Sequence, residues 1–210
     1  TEPNGKNINL QCGATNPKQI SDFISFFNSQ KAKSSKDKSE ILQLHLGIAI
    51  DGDGDRAIFV DHQGNILDGD DILFLLATNN MKSTRKVVGT LMTNYGIREA
   101  YEDAGIDFIE TDVGDINVAN KIRECDCSFG GESSGHIIFN DFKDFFYGDS
   151  MITLINVIEL LLNSKKTLFE HYQQVNKIPS ELINIEVNDK STFLSNERNI
   201  NIVSYIKEQI

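Results

Sequence analysis

Three aspartates, Asp51, Asp53 and Asp55, alternate with two glycines between the apolar runs Leu46–Ile50 and Ala57–Val60, and Arg56 follows at once. Gly52 and Gly54 let the backbone curl tightly enough for the three side chains to converge. Convergent carboxylates repel one another unless a cation neutralises them. A hard divalent ion with oxygen ligands is the natural partner, and magnesium holds a few carboxylates plus water while leaving room for a phosphate oxygen. The competing reading is a solvated turn between two strands, but three carboxylates in register between buried strands favour the metal. A calcium EF-hand does not fit, because Arg56 stands where that loop needs glycine and His62 where it needs a bidentate glutamate. Arg56 beside the triad suits a further anion, since a guanidinium grips phosphate well.

A second set of polar groups lies in Gly130–Phe139, "GGESSGHIIF". Its glycines bracket a carboxylate, two hydroxyls and an imidazole at the edge of an apolar strand. Glu132 can accept from two neighbouring sugar hydroxyls, Ser134 can donate or accept, and His136 can face a phosphate or exchange a proton. A polar turn whose serines cap backbone groups is the alternative for this loop taken alone.

Both loops need elements to hold them, and the chain alternates helical and strand patterns throughout. Lys18–Asn28 has apolar residues at helical spacing, and the polar run Lys31–Lys38 reads as an exposed loop. Leu46–Ile50 and Ala57–Val60 read as buried strands with "DHQGN" as the following turn. A helix over residues 68–80 opens on aspartates that suit its dipole. Then come a strand over residues 87–92, a helix over 95–104, a strand over 106–110, a helix over 115–123 and a short strand near Ser128-Phe129. A long helix begins at Ser150, with Ile152, Ile155, Ile158, Leu161 and Leu162 as its expected packing face. Glu181–Val187 alternates like a strand, and Asn201–Ile210 repeats Ile202, Val203, Ile206 and Ile210 as a helix would. This alternation predicts an α/β fold of layered mixed sheets with helices. The apolar stripe still running at Ile210 suggests an excised piece of a longer chain.

Composition narrows the partners. The 210 residues are 40% hydrophobic and 24% charged, which predicts a packed core. A net charge of -11 argues against sequence-independent binding to nucleic acid or an anionic membrane. Cys12, Cys125 and Cys127 suit neither a disulfide framework nor a four-ligand zinc site, and Cys125 and Cys127 read as buried thiols flanking a strand. With no span of about 20 apolar residues and no signal-peptide pattern, a cytoplasmic location is the expectation. The aromatic stretch Asp141–Asp149 reads as a hairpin or loop over the pocket.

The segments "GIAIDGDGDR", "GTLMTNYG" and "GGESSGH", in this order, resemble the α-D-phosphohexomutase superfamily. "PNGKNINLQCGATNP" together with "DVGD" is most similar to its bacterial phosphoglucosamine mutase branch. The resemblance implies a magnesium-dependent isomerase that interconverts glucosamine 6-phosphate and glucosamine 1-phosphate through a phosphoserine and a bisphosphorylated intermediate, on the route to UDP-N-acetylglucosamine and the cell wall. It implies that Asp51, Asp53 and Asp55 hold magnesium, Arg56 contacts the phosphoryl group, and Glu132, Ser134 and His136 line the sugar pocket. The partners it implies are a hexosamine phosphate and the remaining domains of a longer chain, with a homodimer left open.

The family's phosphoserine segment and its fourth-domain phosphate loop have no counterpart in these residues. The resemblance therefore implies phosphohexomutase-type domains in this arrangement: residues 1–67 as the latter part of domain 2 with the metal loop, 68–178 as domain 3 with the sugar loop, and 179–210 as the linker and start of domain 4. Turnover is not expected of the stretch alone. "DVGD" is followed by Ile116 where the phosphoglucosamine branch carries a basic residue. Two other readings stand beside this one: a sister phosphomannomutase or phosphoglucomutase, and a truncated, non-catalytic metal-binding paralogue.

Overall fold

The computed structural model describes residues 4–34, 44–79, 85–140, 146–173, 175–181, 186, 190–193 and 195–207. The chain divides into a larger unit, Thr1–Ile178, and a smaller one, Pro179–Ile210.

In the larger unit, helix α1 (Lys18–Ser34) leads to strands β1 (Leu46–Ile50), β2 (Ala57–Asp61) and β3 (Ile66–Leu67), which form an antiparallel sheet in the order β1-β2-β3. Every residue of β2 is buried. The β2–β3 turn is built on Asp61, whose carboxylate accepts from the Gln63 and Asn65 backbone N–H groups at 2.8 and 2.9 Å. Helix α1 runs further than its apolar pattern indicates, so Lys31–Ser34 continue the helix instead of opening the expected loop. Lysine, alanine and serine carry no stop signal, and nothing before Ser34 breaks the helix. The rest of that polar run lies outside the described residues.

Helix α2 (Gly69–Thr78) follows, then β4 (Lys86–Thr90), α3 (Tyr95–Asp103), β5 (Asp107–Thr111), α4 (Asp115–Cys125), β6 (Phe129–Gly131) and β7 (Ile137–Phe139). The second sheet has the order β5-β4-β6-β7, with β5, β4 and β6 parallel and β7 antiparallel to β6. The α/β reading with mixed sheets therefore holds. The main core gathers Phe59 and Leu67 from the first sheet, Ile72, Leu73 and Leu76 from α2, and Val87, Phe129 and Ile137 from the second. One apolar interior thus spans both sheets.

Helix α5 (Ser150–Ser164) is capped by Asp149, which accepts from Met151 and Ile152 N–H at 2.8 and 3.0 Å, and is followed by the short α6 (Leu168–Tyr172). Its packing face matches the expected one only in part: Ile152 and Leu161 pack against the main core. Val157 and Leu160 are buried with Thr153, whereas Ile155 and Leu162 are 61% and 72% exposed and Ile158 is 40% exposed. The helix is apolar on nearly every side, so its periodicity does not single out the buried face. The two cysteines also part company. Cys127 is buried, and burial pushes its thiol up to about 11, while Cys125 is only half-buried at the end of α4.

The smaller unit contains α7 (Lys190–Phe193) and α8 (Glu197–Lys207), with Ile202, Val203 and Tyr205 exposed on α8. The strand expected over Glu181–Val187 lies largely outside the described residues, as do Asp141–Phe145 of the aromatic stretch. Among the described residues, no helix is long and apolar enough to cross a membrane.

Candidate active site

The β1–β2 hairpin turns through the carboxylate loop. Because β1 and β2 pair from Ile50↔Ala57 outward, the six residues between them close a loop anchored at both ends by the sheet. Asp51 Oδ1 accepts from the Arg56 backbone N–H at 3.1 Å, which folds the loop back on itself. Carboxylate oxygens of Asp51, Asp53 and Asp55 lie within 4.8 Å of one another. Asp53 is exposed and the other two are half-buried. Burial, followed by the hydrogen bond and charge of Asp51, pushes the Asp55 carboxyl above the usual carboxylate range, while His136 draws it down. Asp55 Oδ1 is buried and accepts no hydrogen bond.

These features pass the test for a cation. Three oxygen donors converge, one of them buried without a hydrogen-bond partner, and among the described residues no lysine pairs with them to relieve their mutual repulsion. The only cationic side chain paired with them among the described residues is Arg56, whose Nε stands 3.7 Å from Asp51 Oδ2 and 3.9 Å from Asp55 Oδ1. An all-oxygen set of this kind suits a hard ion.

The second loop is held against the first. Ala57 N–H donates to Gly135 O at 3.1 Å, and Arg56 and His136 form an antiparallel bridge. Gly135 has φ +91°, and a Cβ on it would stand 2.5 Å from Ala57 O, so this junction requires glycine. On its other side the loop rests on the start of α2, where Gly69 N–H donates to Ser133 O at 3.0 Å.

Arg56 and Ser134 line one cavity of about 270 Å³ together with Ser133, Thr15 and Asp68. Ser134 Oγ is buried there without a hydrogen-bond partner, and Arg56 Nε, though near the Asp51 and Asp55 carboxylates, donates no hydrogen bond. A guanidinium and an unpaired hydroxyl thus share one space. Glu132 does not line this cavity; its Oε1 accepts from Gly114 N–H at 2.9 Å, which ties the "DVGD" turn to the loop between β6 and β7. His136 does not line it either. The ring is buried, with Nδ1 3.0 Å from Asp55 Oδ2 and Nε2 3.1 Å from Gly148 N.

Sequence reasoning did not place Thr15, Asp68 or Gly148 at the site. Thr15 sits in "CGATNP" with an uncharged hydroxyl, and Asp68 reads as one of the aspartates that open a helix, which it caps by accepting from Asp70 and Asp71 N–H. Gly148 reads as the turn before α5. A glycine directly ahead of a capping aspartate was the one available signal.

Comparison with known proteins places these features in a family. Residues 68–178 match the model for phosphoglucomutase/phosphomannomutase, α/β/α domain III. A phosphoglucosamine mutase of Limosilactobacillus fermentum is 37% identical over 212 residues, covering 99% of this chain and 43% of that protein. Another, of Hydrogenovibrio crunogenus, is 39% identical over 189 residues, covering 90% of this chain and 39% of that protein. The chain thus spans about two-fifths of the length of the curated relatives it matches. Among solved structures, Aspergillus fumigatus N-acetylphosphoglucosamine mutase in complex with GlcNAc-6P and magnesium superimposes with a TM-score of 0.65 at 22% identity, covering 90% of this chain and 42% of that one. A phosphoglucomutase/phosphomannomutase family protein of Burkholderia thailandensis gives 0.64 at 21% identity, covering 79% and 34%.

Proposed function

The chain belongs to the phosphoglucomutase/phosphomannomutase family, and from that premise we propose that it is part of a phosphoglucosamine mutase interconverting glucosamine 6-phosphate and glucosamine 1-phosphate. The observation that carries the reading is the junction of two loops: a carboxylate triad on one, and on the other a serine that shares a cavity with the arginine ending the first. In this reading residues 1–67 are the latter part of domain 2, 68–178 domain 3, and 179–210 the linker and start of domain 4. The phosphoserine and the fourth-domain phosphate loop belong to the longer protein.

Phosphoryl transfer breaks the phosphorus–oxygen bond to the phosphoserine and forms one to a sugar hydroxyl, whose proton is in net taken up by the departing serine oxygen. It needs little covalent help, but it needs charge neutralised and the acceptor held in line. Asp51, Asp53 and Asp55 hold magnesium, which supplies charge neutralisation at the moving group when bound. Arg56 offers donors to the phosphoryl oxygens across the cavity, and Ser134 offers its unpaired hydroxyl to the sugar. Glu132, braced by Gly114, accepts from sugar hydroxyls. Contacts to hydroxyls that two opposed sugar orientations share allow one site to serve both half-reactions. The magnesium assignment is supported by the hard donor set and by the metal in the Aspergillus relative. A cytoplasmic location accords with a phosphorylated-sugar substrate.

Ile116 favours a second reading. It stands 70% exposed in the first turn of α4, beside the Gly114 that Glu132 holds, and offers no charge to a phosphate or amino sugar. A sister enzyme acting on glucose or mannose phosphates would tolerate this apolar contact. The longer protein, assayed on glucosamine, glucose and mannose 6-phosphates, is expected to prefer glucosamine 6-phosphate in kcat/KM. Preference for a neutral sugar would assign the sister activity, and turnover of none would leave a non-catalytic metal-binding paralogue.

A further inference from the structure

Asn176, Lys177 and Ile178 form a strap across the first turns of two helices. The partly buried Lys177 ammonium reaches Asp68 Oδ2 and Asp71 Oδ2, each at 2.7 Å. The Asn94 side chain grips Ile178 by both backbone groups: the Ile178 N–H donates to Oδ1 at 3.0 Å, and its carbonyl accepts from Nδ2 at 2.7 Å. Asn94 in turn caps α3 by accepting from Gly96 N–H at 3.0 Å, and its own N–H donates to Asp70 Oδ2 at 2.9 Å. A Cβ on Gly96 would collide with Asn176 O, so the strap lies directly on α3. The last three residues of the larger unit thus tie the starts of α2 and α3 together.

The start of α2 is also the seat of the loop between β6 and β7. Gly69 N–H donates to Ser133 O at 3.0 Å, and a Cβ on Gly69 would collide with Glu132 O and stand 2.8 Å from Gly135 N. The two backbones touch with no side chain between them to absorb a shift. Asp68, the residue before Gly69, lines the cavity that holds Arg56 and Ser134. Among the described residues Lys177 is the only cationic side chain paired with Asp68 or Asp71, and the Asp71 side chain is 3% exposed. Without that counter-charge the two carboxylates repel each other across the turn, one of them buried where ionisation is costly. Opening of the first turn relieves the repulsion, and it carries Gly69 and the loop with it.

We propose that Lys177 is a positioning residue for the cavity, acting through Asp68 and Gly69 to hold the loop that carries Glu132 and Ser134 at a fixed spacing from Arg56. This rests on the reading of that cavity as part of the sugar-phosphate site. Lys177 does not line the cavity, so it acts on how the loop is held and not on the reacting atoms. A loop held less firmly binds substrate and transition state less well alike, which raises KM and leaves kcat near the parent value.

Lys177→Met keeps the length of the stem and removes the charge. In the longer protein it is expected to raise KM for glucosamine 6-phosphate about 10-fold with kcat little changed, the scale of a small misplacement. Lys177→Arg, which can pair with both carboxylates, is expected to keep KM close to the parent's. Ile24→Ala removes buried contacts of α1 on β1 and serves as the control: it is expected to lower the melting temperature and leave KM at the parent value. A second readout needs no sugar. Amide hydrogen exchange of Gly69 is expected to quicken about 10-fold in Lys177→Met and to stay at the parent rate in Ile24→Ala. Unchanged KM or unchanged Gly69 exchange in Lys177→Met would overturn the inference, as would an Ile24→Ala protein that reproduces both changes. Because exchange is read without substrate, failure of the mutase reading would show separately, as faster Gly69 exchange in a longer protein that turns over none of the sugar phosphates.

Discussion

Asp53 is the exposed member of a triad whose other carboxylates are partly buried, so it contributes repulsion to the metal-free protein and little packing. Asp53→Asn is therefore expected to leave the metal-free melting temperature unchanged or slightly raised, and to abolish the rise that magnesium gives the parent. Thermal melts with and without magnesium check both halves of this statement. Arg56 makes a different kind of contribution, because its planar fork and the cavity it lines suit an anion. In the longer protein, Arg56→Lys is expected to lower kcat/KM by about 10–100-fold, the scale of a lost charge-assisted hydrogen bond, with the fold intact. The triad and Arg56 were legible in the sequence because alternating Asp-Gly spacing between apolar runs constrains where carboxylates point. The bonding of His136 was not, since its partners Asp55 and Gly148 are 81 and 12 residues away and meet it only in the folded sheet junction.

The start of α2 is the element on which the loop carrying Glu132 and Ser134 rests, and it is held by buried charge. Asp68 caps the helix in a reciprocal box with Asp71, and Lys177 reaches both carboxylates at 2.7 Å. Next to it, Asp70 accepts from Asn94 N–H at 2.9 Å, and Asn94 holds Ile178 through its side chain. Lys177→Met would leave Asp71 buried without its counter-charge, and a loss of about 1–3 kcal/mol in chemical denaturation is expected. Burial pushes Asp70 up to about 6, against the pull of the Asn94 hydrogen bond, and burial pushes Asp71 up to about 7. Both values lie above the unfolded 3.8, so the folded chain holds these protons more tightly. Their contribution to stability is fully present below about pH 4 and is lost as pH rises through 6 to 7. Asp70→Asn is expected to flatten part of that fall and to exceed the parent in urea midpoint at pH 8. At this scale the sequence revealed the capped helix and the alternation of strands and helices, whose signals are local. It did not reveal which face of α5 packs, because Ile155 and Val157 are equally apolar and only the neighbours decide between them.

Across the whole molecule, both loops lie in the unit Thr1–Ile178, which carries both sheets and the core that joins them. The Arg56–His136 bridge and the bond from Ala57 N–H to Gly135 O set the turn between β6 and β7 beside the hairpin of the other sheet, and no local pattern encodes that neighbourhood. The family likeness supplied what periodicity could not, since the two loop motifs occur in fixed order along the chain. The chain spans about two-fifths of its curated relatives, and with the proposed phosphoserine ligand lying outside these residues it is expected to bind magnesium only weakly by itself. Titration calorimetry should show shallow binding, and tight stoichiometric binding would contradict that expectation. The central claim, that the carboxylate loop serves phosphoryl transfer on a hexosamine phosphate, is tested most directly by a coupled assay of the longer protein with glucosamine 6-phosphate beside its Asp53→Ala variant. Magnesium-dependent formation of glucosamine 1-phosphate by the parent and a loss of about 100-fold in the variant are expected; equal rates in the two proteins would contradict this role of the loop.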